Sequence, residues 1–168
     1  MLTPTPTLTL TEEEMMTIAL QAVTRHVVNV ISGRQDRYGH IGLGFDAHIT
    51  GALGEYAVAR FLDVAWDYLP KDTLDSPGDV VDGLQVRTTT RPDGSLIIHE
   101  NDAPYHRYIL AIVKLPIVKL MGWCYGHEGQ NPTYWRTYQR PAFFVPATDL
   151  RPCRGARQTL LAPIEETS

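Results

Sequence analysis

The hydrophobic pattern changes period near Pro77-Gly78, and this limits what the chain can fold into more than any other feature. Before that point apolar residues recur at helical spacing. After it they fall in short alternating runs of the kind that form strands. Helices followed by strands describe a mixed domain in which helices cover a sheet. A chain of 168 residues suits one such domain with one core. Its 12 prolines and 13 glycines are widely spread, so many short elements and turns are expected.

The first helix has a clear start. Thr11 precedes Glu12-Glu13-Glu14, which puts Glu14 at the capping-box position and three acids at the positive helix end. The helix is expected over 11–31, burying Met15, Ile18 and Ala22, with Ser32-Gly33 as its stop. Gly33, Gly39, Gly42 and Gly44 then mark a long connection carrying His40, Asp46 and His48; their spacing matches no phosphate loop. A second helix is expected over 49–62. Its stripe of Ala52, Glu55, Ala59 and Leu62 is small and apolar except for Glu55. A carboxylate turned toward a core is costly unless it is paired, hydrogen-bonded or bound to a metal.

Beyond Pro77-Gly78, Asp79-Val80-Val81 reads as a short strand and Asp82-Gly83 as a tight turn. From 84 to 89 the residues alternate. Leu84, Val86 and Thr88 take one side of a strand; Gln85, Arg87 and Thr89 take the other. A turn at Pro92-Asp93-Gly94 leads into a strand over 95–100, which suggests a meander bringing Asp79 close to Gln85 and Arg87. Further strands are expected over 108–113, 117–125 and 142–145, with the segment from about 152 running along the surface.

The formal net charge of -4 argues against a surface that coats nucleic acid everywhere, though a local basic groove is compatible with it. The most apolar run, from Tyr108 to Tyr125, is interrupted by Lys114, Pro116 and Lys119, so no membrane span is expected. The N-terminus has no basic segment followed by an apolar one, which leads to an expected cytoplasmic location. Cys124 and Cys153 fit no compact metal motif, and Cys124 reads as a buried small hydrophobe.

Gly51-Ala52-Leu53-Gly54-Glu55 on a helix, then Gly78-Asp79-Val80, then Gln85-Val86-Arg87, is an ordered set. It resembles the PD-(D/E)XK restriction-endonuclease-like superfamily, and within it uncharacterised phage and prophage proteins. The similarity covers roughly residues 51–150. It implies an α/β fold with a mixed α+β sheet: a nuclease-like core over 49–150, an added N-terminal helix and a tail over 152–168, all within one domain. By this resemblance Glu55 matches the helical acid and Asp79 the aspartate of the first core strand. Gln85 stands where the family has its second acid, and Arg87 where it has lysine.

The resemblance implies a metal-dependent DNA endonuclease, in the setting of phage DNA processing and, if phage-encoded, of the host cytoplasm. Mg²⁺ or Mn²⁺ is the implied cofactor, since such hard cations take carboxylate oxygens, water and substrate phosphate. Glu55, Asp79, Gln85 and the main-chain carbonyl of Val86 are the implied ligands. Arg87 cannot deprotonate water, but its donor fork suits a phosphate transition state. The same residues also suit a metal-free cluster, with Asp79 capping a turn, Arg87 paired to Asp79 or Glu55, and Gln85 satisfying strand-edge groups. That alternative describes a catalytically inactive relative that binds nucleic acid, or a factor that assembles with a phage or host protein.

Histidines and aromatics add candidates for DNA contact. His48 lies just ahead of the Glu55 helix, and histidine titrates near neutrality. Tyr134, Trp135 and Tyr138 lie among Arg136 and Arg140, a mixture of stacking rings and phosphate donors. Trp123 is assigned to the core first, and His26 to ordinary helix polarity.

Overall fold

A computed structural model describes residues 4–33, 45–66 and 79–164. The connection with His40, Gly39, Gly42 and Gly44 and the link at Pro77-Gly78 lie outside the described residues.

Strand β1 (Thr7–Thr9) leads into helix α1 (Glu12–Ile31), and helix α2 (Phe45–Leu62) follows. The capping box forms as the sequence implies: Thr11 Oγ1 accepts the Glu14 N–H at 3.1 Å, and Glu14 Oε2 accepts the Thr11 N–H at 2.7 Å. Glu14 also clamps the two helices together. It accepts the Tyr56 hydroxyl at 2.5 Å and Arg60 Nη1 at 3.2 Å, and the Tyr56 bond is the main reason its carboxyl titrates below the usual range. Helix α2 starts at Phe45, so Asp46 and His48 belong to its first turn instead of to a connection.

The strands are β2 (Leu84–Thr89), β3 (Leu96–Ile98), β4 (Arg107–Lys114), β5 (Ile117–Tyr125), β6 (Trp135–Arg136) and β7 (Ala142–Val145); short helices α3 (Gly126–Gly129) and α4 (Arg157–Leu161) and single 3-10 turns at Pro132–Tyr134 and Ala147–Asp149 are the other elements among the described residues. The main sheet has the order β1-β5-β4-β2 and is mixed. Strand β2 runs parallel to β4, and the other pairs are antiparallel. A second, antiparallel sheet has the order β3-β7-β6. Four α-helices and a mixed sheet among the described residues make this a mixed α and β protein.

Three layers result. Helices α1 and α2 press Ile18, Ala22, Ala52, Val58 and Leu62 onto Leu84, Val86, Ile109, Ala111 and Val113 of the main sheet. Tyr108 and Leu110, on the opposite face, meet Leu96, Ile98 and Val145 of the small sheet. Strand β4 is therefore covered on both faces, which is why its sequence is an unbroken apolar run without alternation. Gly54 allows the close approach of α2 to the sheet, since a side chain there would collide with the Thr88 methyl group.

The expected meander does not form. Asp79 to Val81 turns back without pairing as a strand: Asp79 N–H bonds the Leu84 carbonyl at 2.8 Å, and Leu84 N–H bonds that of Val81 at 3.0 Å. The chain leaves the main sheet after the turn at Pro92-Asp93, because Leu96 and Ile98 bury themselves against Tyr108 and Val145 instead. The C-terminal segment is anchored and does not run loosely along the surface. Cys153 and Leu160 are fully buried, and Arg157 Nε donates to the last carbonyl of α2, Leu62 O, at 2.8 Å. Cys124 is buried, as expected, and its thiol is pushed up to about 12 by desolvation. Trp123 is buried as well.

No helix among the described residues is long and apolar enough to cross a membrane.

Candidate functional site

Strand β2 lies at the end of the main sheet, and among the described residues no strand pairs with its outer edge. The backbone there is held by Asp79, whose Oδ2 accepts the Val86 N–H at 2.7 Å. Leu84 and Val86 therefore direct their main-chain groups away from β4, which places the Val86 carbonyl on the same outer edge as the Asp79 carboxylate. Sequence reasoning brought Asp79 near this strand through a hairpin. The structure does so through a side-chain bond across the Asp82-Gly83 turn.

Glu55 reaches this edge from α2. Its side chain is only 15% exposed, and its Oε2 lies 3.4 Å from Arg25 Nη1 of α1. Burial, and next the charge of Asp79, raise the Glu55 carboxyl to a pKa of about 7, against the pull of Arg25 and the Trp66 indole. Two carboxyls are thus close enough to repel in a place with little water. This is the arrangement that a divalent cation relieves, by replacing repulsion between acids with attraction of both to one ion.

Gln85 and Arg87 leave β2 on the other face, in register with Tyr108 and Leu110. There Arg87 Nη2 forks onto Asp102 at 3.1 and 3.0 Å and its guanidinium lies 5.2 Å from the centre of the Tyr108 ring. Asp102 also accepts the His99 N–H at 2.9 Å. The expected site is therefore split by the strand: acids on the helix side, Gln85 and Arg87 on the small-sheet side.

A groove of about 570 Å³ runs along β2, and Val86 lines it while Glu55 and Asp79 do not. His48 borders it from α2, Val86 and Arg87 from β2, and Arg91, His99 and Arg140 from the small-sheet side. Ile97, Ala142 and Phe144 supply apolar lining. Its charged borders are Arg87, Arg91 and Arg140 against Asp93, with Arg87 paired to Asp102 at 3.0 Å and Arg91 to Asp93 at 3.4 Å. Burial first, then Arg87 and Arg140, lower the His99 pKa against the pull of Asp102.

Of the other expected contacts, His48 and Arg140 line the groove, whereas Tyr134, Trp135 and Arg136 do not. Tyr134 donates its hydroxyl to Asp149 at 3.0 Å, and Trp135 packs edge-on against Phe143 at 4.9 Å. Arg136 bonds the carbonyls of Thr133 and Trp135 at 2.9 and 2.7 Å. Sequence reasoning missed Arg25, Asp102 and His99. Only the spacing of His99 and Asp102 across a tight turn carries a local hint of their bond. His26 is buried, with its ring centre 4.2 Å from that of His48. Among the described residues no group of three or more His, Cys, Asp or Glu stands in metal-binding array. Neither protein-family models, nor curated proteins, nor solved structures yield a match to this chain.

Proposed function

We propose that this chain is a metal-dependent deoxyribonuclease with a restriction-endonuclease-like core and an altered PD-(D/E)XK-type site. The observation that carries the reading is the Glu55–Asp79 acid pair at an open strand edge, next to a groove bordered by Arg87, Arg91 and Arg140. Glu55, Asp79 and the Val86 carbonyl offer the oxygen ligands that Mg²⁺ or Mn²⁺ takes. The opposite-face position of Gln85 weighs against its joining that set. A bound divalent ion supplies charge compensation at the phosphate and a more acidic water.

The chain's own residues account for the remainder. Asp79 is immobilised by its bond to Val86, so one acid keeps its position without a neighbouring strand. Arg87 is oriented by Asp102 and Tyr108, which presents a pre-aimed guanidinium to a phosphate in the groove. Arg140 and Arg91 extend the phosphate track, and His99 and His48 border the same groove.

A second reading is favoured by the ion pairs Arg25–Glu55 and Arg87–Asp102, which already neutralise two members of the set. In that reading the protein binds DNA through the groove, or serves in assembly with a phage or host protein, without cleaving. The two are separated by incubating single-stranded, duplex and branched DNA with the protein in Mg²⁺ or Mn²⁺. The nuclease reading expects cleavage that chelation stops and Asp79→Asn abolishes. Salt-sensitive binding with no cleavage of any form rejects it in favour of the second, and cleavage undiminished in Asp79→Asn rejects the site assigned here.

A further inference from the structure

Helix α1 has two apolar faces. The inner one carries Ile18, Ala22 and His26 against α2 and the sheet. The outer one carries Met16, Leu20, Val23, Val27 and Val30, spaced 4, 3, 4 and 3 residues apart, with Ile31 beside it. That spacing is the alternation of a two-helix seam, and the six side chains fall within about 100° of the helix surface. Met16 is 73% exposed, Leu20 69%, Val30 61% and Ile31 80%. Val23 alone among the six is half-buried.

We infer that this seam is a homodimer interface, in which α1 of one copy packs antiparallel on α1 of a second copy about a twofold axis near Val23. The exposed side chains amount to roughly 500 Å² of apolar surface per copy, at the upper range of what a monomer leaves in one patch. Two copies bury about 1,000 Å² by this count, the lower bound for a specific interface and the range of a weak, concentration-dependent dimer. Thr17 and Thr24 flank the seam and carry no charge, so nothing along it repels a second copy.

The direction follows from charge. The N-terminal turn holds Glu12, Glu13 and Glu14, and the last turn has no basic residue. A parallel pair brings Glu12 and Glu13 of both copies together at one end, Glu14 being held on the inner side by Tyr56 and Arg60. An antiparallel pair separates them and opposes the two helix dipoles favourably. Two heptads are too short to order an isolated helix pair. Here the inner face has already ordered α1, so association need only join two formed surfaces.

In the antiparallel arrangement Leu20 of each copy meets Val27 of the other. The experiment is sedimentation or light scattering on the full chain at about 100 µM, comparing wild type with Leu20→Lys, Val27→Glu and the double variant. The wild type is expected at twice 18.8 kDa, each single variant at the monomer mass, and the double variant again at the dimer mass, since the introduced lysine and glutamate then face one another. Circular dichroism checks that the variants remain folded, which the exposure of Leu20 and Val27 favours. A monomeric wild type overturns the interface, as does a folded Leu20→Lys variant that stays dimeric. A double variant that stays monomeric overturns the antiparallel geometry. None of these outcomes depends on whether the groove cleaves DNA.

Discussion

Glu55 on α2 and Asp79 ahead of β2 present two carboxyls to one poorly hydrated edge of the main sheet, and Glu55 consequently titrates at about 7. The two acids come from chain segments more than 20 residues apart, one by helix packing and the other by a bond to the Val86 N–H.

The first consequence is for stability. The Glu55 pKa is raised from 4.5 to about 7, so the unfolded chain loses this proton at lower pH than the folded one does. The group costs nothing below about pH 4.5 and destabilises increasingly up to about pH 7, above which the penalty is constant. Glu14 and Glu128, held below the usual range, act in the opposite sense and only on the acid side. Glu55→Gln is therefore expected to stabilise the metal-free protein at pH 8 by up to ~3 kcal/mol and to change little at pH 4.5. Urea unfolding of both proteins at the two pH values measures the difference.

Metal binding is expected to be linked to the same proton. Below pH 7 an incoming Mn²⁺ must displace the Glu55 proton, so affinity rises with pH and levels off above it. Calorimetry in buffers of different ionisation enthalpy reads both the affinity and the proton released. Asp79→Asn keeps an acceptor for Val86 N–H but removes one charge, and should weaken binding at least tenfold.

The groove has its own signature. Arg140→Ala removes a cation from its border, and is expected to weaken DNA binding for all sequences alike and to reduce the slope of log K against log salt by about 1. Arg136→Ala, whose guanidinium is tied to Thr133 and Trp135 carbonyls outside the groove, should leave that slope unchanged. Fluorescence anisotropy with a labelled oligonucleotide at several salt concentrations, in chelator, tests the pair.

Arg107 governs a different property. Its buried guanidinium donates to the carbonyls of Asp82, Thr159 and Ala162 at 2.9, 2.7 and 2.6 Å, which ties the turn before β2 to the C-terminal segment. Arg107→Met leaves those carbonyls without their donor and is expected to cost about 3 kcal/mol or more. Chemical denaturation gives the value, and proteolysis should cut first near α4.

Much of the local structure was legible. Thr11 and Glu14 announced the start of α1, Ser32-Gly33 its end, and the β5 and β7 boundaries agree with the apolar runs that suggested them. These features depend on capping, turn chemistry and periodicity, which act over a few residues. The same holds for the alternation of β2, which placed Leu84 with Val86 and Gln85 with Arg87 before any partner was known.

What alternation cannot say is which layer each face meets. Only tertiary packing put α2 over Leu84 and Val86, turned Arg87 toward Asp102 and Tyr108, and drew β3 away to β7. A strand's parity is a property of its own backbone, whereas the choice of neighbour depends on apolar surface contributed from elsewhere in the chain. By itself the sequence determined that Glu55 would be an acid among small apolar residues and that Asp79 would stand ahead of a strand. That the two meet, and that Arg87 stands on the far side of the strand from them, was decided by which layers pack on the two faces of the sheet.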